Sequence, residues 1–245
     1  MIEHLAWDSD HFGFSIGSAG EPVRSSAELG RLMDELHGCD EDLVYAFLPL
    51  SRMDLISSLL GTRGARLADV RVEMELDLQG SRDSGEIPGE LVFRNARRTD
   101  SGEAAELASR CFRGGTRFYR DPGIDNGLCD LLYGTWAEKD ILDGEDTCLV
   151  CLGEEGLIGF CTAAVSDGGE ARLGLIGVSP EARGRGVGKG LLGSVAGILR
   201  EKGCSKLAAV TQLYNTGAVR MYGRAGFLLR SATAVVHLWR NSGGS

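Results

Sequence analysis

The stretch that most constrains this chain is residues 173–192, LGLIGVSPEARGRGVGKGLL. Residues 173–178 read as a buried strand, and Ser179 and Pro180 form a short bridge. Arg183-Gly184-Arg185-Gly186-Val187-Gly188 then make a turn that opens a helix at about Lys189. Glycines let successive backbone N–H groups point into one small concavity. The first turn of the helix adds its unpaired N–H groups and the positive end of its dipole, and Arg183, Arg185 and Lys189 add full charges. The stretch is an anion cradle, suited to a diphosphate.

Spacing separates three designs for such a cradle. A Walker loop needs a glycine five residues before the Gly-Lys pair and a hydroxyl residue after it, but Arg183 and Gly190 hold those places. A dinucleotide fingerprint started from Gly184 and Gly186 ends on Lys189 instead of glycine. What fits is Arg/Gln-x-x-Gly-x-Gly/Ala after a V-x-P strand end, met here by Arg183, Gly186 and Gly188. This pattern resembles the pyrophosphate loop of the GNAT superfamily of N-acetyltransferases. The resemblance implies acetyl-CoA as cosubstrate and no metal. It also implies a binding set of Arg183, Gly184, Arg185, Gly186, Val187, Gly188 and Lys189, joined by the backbone of Leu175, Ile176, Gly177 and Val178 on a central strand that splays from its neighbour.

Composition narrows the class without choosing within it. The chain has 245 residues, long enough for one large domain or two small ones, and its 43% apolar and 25% charged residues are those of a soluble globular protein. A net charge of −9 argues against a general nucleic-acid binder. No apolar run reaches membrane-span length, and the N-terminus lacks the basic and apolar regions of a signal peptide, so a cytoplasmic location is expected. Seven cysteines, an odd number in apolar context, fit reduced thiols. Cys148 and Cys151 form a CxxC within a strand pattern, where residues three apart face opposite ways, and no second pair accompanies them. The four histidines, His4, His11, His37 and His237, form no ligand motif and read as surface or core residues.

Residues 79–90, QGSRDSGEIPGE, separate two regions that each carry strand and helix signals. The expected division is a smaller N-terminal α/β domain over 1–78 that shapes an acceptor site, a linker over 79–90 and an acetyltransferase domain over 91–245. In the first region helices are expected over 26–37 and 53–60, and strands over 43–48 and 67–78. In the second, a strand at 91–95 leads to a helix capped by Thr99 or Asp100, then a helix over 129–141. Strands follow at 148–152 and 157–165 around the turn 153–156. After the cradle helix, to about Glu201, come a strand at 206–211, a helix at 216–225 and a strand at 231–239. This order resembles that of the acetyltransferases and implies an α/β (α+β) fold of the GNAT-type acyl-CoA N-acyltransferase class, a mixed central sheet flanked by helices. A weak internal echo pairs residues 55–76 with 219–239, each a helix, a glycine turn and a long alternating strand.

Acetyl transfer to an amine needs the cofactor held, the amine deprotonated, the oxyanion stabilised and the departing thiolate protonated. The stretch 211–222, TQLYNTGAVRMY, puts Asn215 at a helix start and Tyr222 two turns on. The resemblance assigns Asn215 to cofactor contact and Tyr222 to the general acid, and phenol and thiol pKa values of ~10 and ~8.5 are close enough for that transfer. The other role for Tyr222 is a core aromatic against Phe227. Asp69 is the candidate base, with an exposed strand carboxylate as the alternative. Arg117, Phe118 and Arg120 in GGTRFYRDP suit a base stack and a diphosphate. LAWDSDHFGF near the N-terminus, Thr116-Arg117-Phe118 and TQxxNTxAxxxY resemble the bacterial nucleotide-sugar amine acetyltransferases that act on TDP-fucosamine. That implies a small-molecule partner, a nucleotide amino sugar, with no nucleic acid or membrane partner; a homodimer stays open. Acetylation of another amine, such as a protein N-terminus, an amino acid or an aminoglycoside, is the alternative, as is a non-catalytic acyl-CoA-binding module.

Overall fold

The computed structural model describes residues 2–80, 91–144, 147–154, 156–166 and 168–240. Most of the 79–90 linker and Glu155 of the 153–156 turn lie outside the described residues. Before the linker come β1 (Glu3–His4), α1 (Ala6–Phe12), β2 (Ile16–Ser18), α2 (Ser26–Gly38), β3 (Leu43–Pro49), α3 (Met53–Leu60) and β4 (Ala65–Asp77). After it come β5 (Val92–Asn95), α4 (Ser101–Phe112), α5 (Arg117–Arg120), α6 (Asn126–Asp143), β6 (Thr147–Gly153), β7 (Gly156–Val165) and β8 (Glu170–Val178). The chain closes with α7 (Val187–Glu201), β9 (Lys206–Gln212), α8 (Thr216–Arg224) and β10 (Leu228–Trp239).

Local chemistry sets the ends of these elements. Ser25 and Glu28 form a reciprocal capping box at α2, and Asp125 accepts from the N–H groups of Gly127 and Leu128 at the start of α6. The cradle helix starts at Val187, earlier than the expected Lys189, because Gly186 takes a left-handed φ of 86° and serves as its N-cap. The WDSDHFGF motif forms α1, closed by left-handed Gly13. Spacing carried no helix signal there, and a seven-residue helix is too short to show a period.

All ten strands of the described residues join one mixed sheet in the order β1-β2-β3-β10-β4-β9-β8-β7-β6-β5. Strand β4, from before the linker, lies between β9 and β10, from after it. One face is covered by α2, α3, α7 and α8, and the other by α1, α4, α5 and α6. Leu191, Leu192, Val195 and Leu199 fasten α7 to its face, each fully buried and worth about 1.5–3 kcal/mol. Cys148 and Cys151 fall in the cores on opposite faces, as residues three apart on a strand must.

The internal echo is structural. Aligning Gly61-Thr62-Arg63-Gly64 with Gly223-Arg224-Ala225-Gly226 matches two left-handed glycines, Gly64 and Gly226. The same alignment carries the bulge at Ala68 in β4 onto the bulge at Arg230 in β10. Likewise β2 pairs in parallel with only the first three residues of β3, as β8 does with β9. The unit β2-α2-β3-α3-β4 therefore repeats as β8-α7-β9-α8-β10, and the repeats exchange their last strands, β10 beside β3 and β4 beside β9.

Candidate active site

Strands β8 and β9 pair only through Glu170↔Lys206, Ala171↔Leu207 and Arg172↔Ala208. Beyond that point β8 keeps its ladder to β7, where Ile176, Gly177 and Val178 face Cys161, Phe160 and Gly159. A bulge in β8 between Leu173 and Ile176 starts the separation. Thr162 pins it: its Oγ1 accepts the Leu175 N–H at 2.9 Å and donates to Asp140 Oδ2 at 2.7 Å. Only glycine fits next door, since a Cβ on Gly174 would lie 2.5 Å from Thr162 Oγ1. The edge of β8 that carries Leu175, Ile176, Gly177 and Val178 thus opens onto a gap, with its backbone groups on that side unclaimed by a strand.

The cradle sits at the end of that edge. Gly184 and Gly186 are both left-handed, and no side chain caps α7, so its first-turn N–H groups face outward. A Cβ on Gly188 would meet Met221 Sδ at 2.8 Å, which ties the cradle closely to α8. Exposed Arg185 lies on the same turn, and Arg183 reaches the Val178 carbonyl with Nε at 3.4 Å. Bare N–H groups, glycine φ values and cationic side chains fit a diphosphate arm.

Tyr222 projects from α8 into the core beside Phe227, with ring centroids 5.2 Å apart, and shares that core with Ile176 and Val178. Burial pushes its phenol pKa up, with Cys161 adding to the shift. Asn215 accepts from the Ala218 N–H at 3.2 Å and so caps α8. Asp69 points from β4 to the opposite face. It is 6% exposed, its Oδ1 has no hydrogen-bond partner among the described residues, and burial pushes its carboxyl up to about 6 against the pull of Arg117 and Arg120. Arg120 lies over the Tyr214 ring at 3.5 Å, and the Tyr214 hydroxyl donates to the Gly115 carbonyl at 3.1 Å. These contacts clasp the 114–120 segment to the β9–α8 loop, and Arg117 and Arg120 both act electrostatically on Asp69. Phe118 is buried 5.4 Å from Phe12 and supports the loop from beneath, which corrects its expected place in a base stack.

Four residues at this site were not expected from sequence. Asp8 of α1 lies within the field of Arg117, although burial holds its carboxyl above the ordinary value. Arg117 stacks on Tyr45 at 4.6 Å, and Tyr45 stands against His237 at 4.8 Å. His237 donates from Nδ1 to Asp121 at 2.6 Å. The one sequence signal was a polar residue inside an apolar strand run, Tyr45 in LVYAFL and His237 in AVVHLW.

The chain is similar in sequence and fold to known proteins. Residues 106–227 match the model of the acetyltransferase (GNAT) family. The dTDP-fucosamine acetyltransferase of Escherichia coli is 27% identical over 92% of both chains. Mycothiol acetyltransferase of Saccharopolyspora erythraea is 31% identical over 36% of this chain and 29% of its own length, so that match spans under a third of the relative. A GCN5-related N-acetyltransferase structure from Sphaerobacter thermophilus superposes with a TM-score of 0.59 at 18% identity, covering 87% of this chain and 65% of that one. With its splayed β8, its glycine cradle and its β8-α7-β9-α8-β10 order, the chain belongs to the GNAT family of acetyl-CoA-dependent N-acetyltransferases.

Proposed function

We propose that this chain moves the acetyl group of acetyl-CoA to the amine of a nucleotide-linked amino-deoxysugar by direct attack. The observation that carries the reading is the buried Asp69 carboxyl, its Oδ1 without a partner among the described residues and within the field of Arg117 and Arg120. A carboxylate serves the amine there, and two guanidiniums serve a diphosphate. The full-length likeness to the E. coli dTDP-fucosamine acetyltransferase supports the same acceptor class.

In this mechanism Asp69 takes a proton from the acceptor ammonium, directly or through water. The freed amine attacks the thioester carbonyl carbon, and the oxyanion is held by backbone N–H on the open edge of β8 beyond Leu175, within 176–178. The C–S bond then breaks, the leaving thiolate takes the Tyr222 hydroxyl proton, and the second proton lost from the nitrogen restores the tyrosine through solvent. The two groups lie on opposite faces of the sheet, and in this reading one takes a proton while the other gives one.

The test is coenzyme A release from acetyl-CoA with a panel of TDP- and UDP-linked amino sugars, run beside Tyr222→Phe. Turnover on one of them, with kcat reduced about 10²-fold or more in the variant and acetyl-CoA affinity retained, is the expected result. Binding of acetyl-CoA without acetylation of any sugar sinks the acceptor assignment, and peptides and small amines come next.

A further inference from the structure

Behind Arg117 lies a polar wall that the reaction above does not use. Tyr45 on β3 and His237 on β10 are direct cross-strand partners, 1% and 0% exposed. Asp121 holds His237 from the far side: its Oδ2 accepts from His237 Nδ1 at 2.6 Å and from Trp239 Nε1 at 2.8 Å, and its Oδ1 accepts from the Gly123 N–H at 2.9 Å. Burial works against ionisation of Asp121, yet those bonds keep its pKa below the ordinary value. Burial also lowers the pKa of His237, with Arg117 acting in the same sense. The ring is therefore neutral with its proton on Nδ1, and Nε2 carries a lone pair.

Among the described residues that Nε2 has no partner, and neither do Tyr45 Oη, Arg117 Nε, Thr116 Oγ1 or Asp69 Oδ1. Each unpaired buried polar atom costs about 1–3 kcal/mol, and folded proteins satisfy the great majority of them. Three of them, on Arg117, Tyr45 and His237, are linked through the Arg117–Tyr45 and Tyr45–His237 contacts and mark a place built for a ligand's polar groups. Resting on the acceptor reading above, we propose that Tyr45 and His237 are the specificity-determining residues that recognise a ring hydroxyl of the amino sugar. The hydroxyl donates to His237 Nε2 and accepts from Tyr45 Oη, and Asp121 is the positioning residue that fixes the histidine tautomer. A hydroxyl suits the wall because it both donates and accepts, whereas an anion would face the histidine lone pair. Arg117, stacked on the Tyr45 face, is the cover, and a diphosphate that draws its guanidinium away opens the wall.

The test compares kcat/KM for the acetylated nucleotide amino sugar with analogues in which each ring hydroxyl in turn is replaced by hydrogen. The expected result is that wild type loses at least about 10-fold on one analogue. His237→Gln and Tyr45→Phe then lose about 10-fold or more on the full sugar and nothing further on that analogue. Tyr45→Phe removes a single oxygen and carries the test if the histidine variant does not fold. Equal losses on sugar and analogue, or no discrimination by wild type, overturn the subsite while leaving the acceptor class in place. If wild type acetylates no nucleotide amino sugar, the acceptor class fails and the subsite fails with it.

Discussion

Asp69 concentrates the tension between stability and chemistry at the residue scale. Its carboxyl is pushed from 3.8 up to about 6 by burial, so the fold prefers it protonated. A group whose folded pKa lies above its unfolded value contributes stability below the unfolded pKa, lost as pH rises through the folded one. The cost therefore sets in between about pH 4 and pH 6 and reaches roughly 3 kcal/mol above that. Asp69→Asn is expected to raise the melting temperature at pH 8 and leave it unchanged near pH 3.5, which thermal unfolding at the two pH values measures. The same substitution is expected to lower kcat/KM by about 10²–10⁴-fold. Wild-type kcat/KM in turn is expected to rise with pH through about 6 and level off as the carboxylate ionises. An Asp69→Asn protein with the same melting temperature as wild type at pH 8 would remove the physical basis for this assignment.

The bulge in β8 is the device at the scale of elements, since it turns a paired strand into an open edge. Thr162→Val keeps the shape of the side chain but removes both the acceptor for the Leu175 N–H and the donor to Asp140. The expected outcome is about 1–3 kcal/mol less stability by denaturant unfolding, with kcat reduced more than acetyl-CoA affinity. Gly186→Ala acts at the other end of the edge. Its left-handed φ of 86° costs an alanine about 1–2 kcal/mol, so the acetyl-CoA Kd is expected to rise about tenfold by calorimetry. Of these two devices only the second was legible in the sequence. Glycines and arginines at fixed spacing announce a cradle, because each has a local conformational or charge requirement. The bulge depends on Thr162, Asp140 and Gly174 meeting across three elements, and no local window contains that meeting. The acceptor side shows the same limit: Arg117 and Arg120 stood out in a glycine-bounded loop, whereas Tyr45 and His237 are brought together by strand pairing and Asp121 joins them from the segment after α5. The strands and longer helices were legible from their periods, and their ends moved by a few residues where capping decided.

For the whole molecule, the repeat raises the question of how many cofactors one chain holds. Repetition of β2-α2-β3-α3-β4 as β8-α7-β9-α8-β10 supplies two helix N-termini beside two short parallel pairings, but their chemistry differs. At α2 the Glu28 carboxylate accepts from the N–H groups of Arg24 at 2.6 Å and Ser25 at 3.1 Å, while Ser25 Oγ takes the Glu28 N–H. Three of the N–H groups at that helix start are occupied, and a negative charge already stands there. The gap between β2 and β3 is stitched by Ala19 N–H to the Tyr45 carbonyl and Val23 N–H to the Phe47 carbonyl, both at 2.8 Å. One acetyl-CoA per chain is therefore expected by calorimetry, and a second site of comparable affinity would contradict it. The exchange of β4 and β10 carries a further consequence. Residues 91–245 expressed alone lack the strand between β9 and β10, leaving long unpaired edges on both. We propose that the regions on either side of the 79–90 linker are repeats that fold together, so each fragment alone is expected to be insoluble or unfolded by circular dichroism. Co-expressed, the two should copurify and bind acetyl-CoA, because the sheet rather than the linker holds them. A soluble, cooperatively melting 91–245 fragment would show that the first repeat serves only the acceptor side.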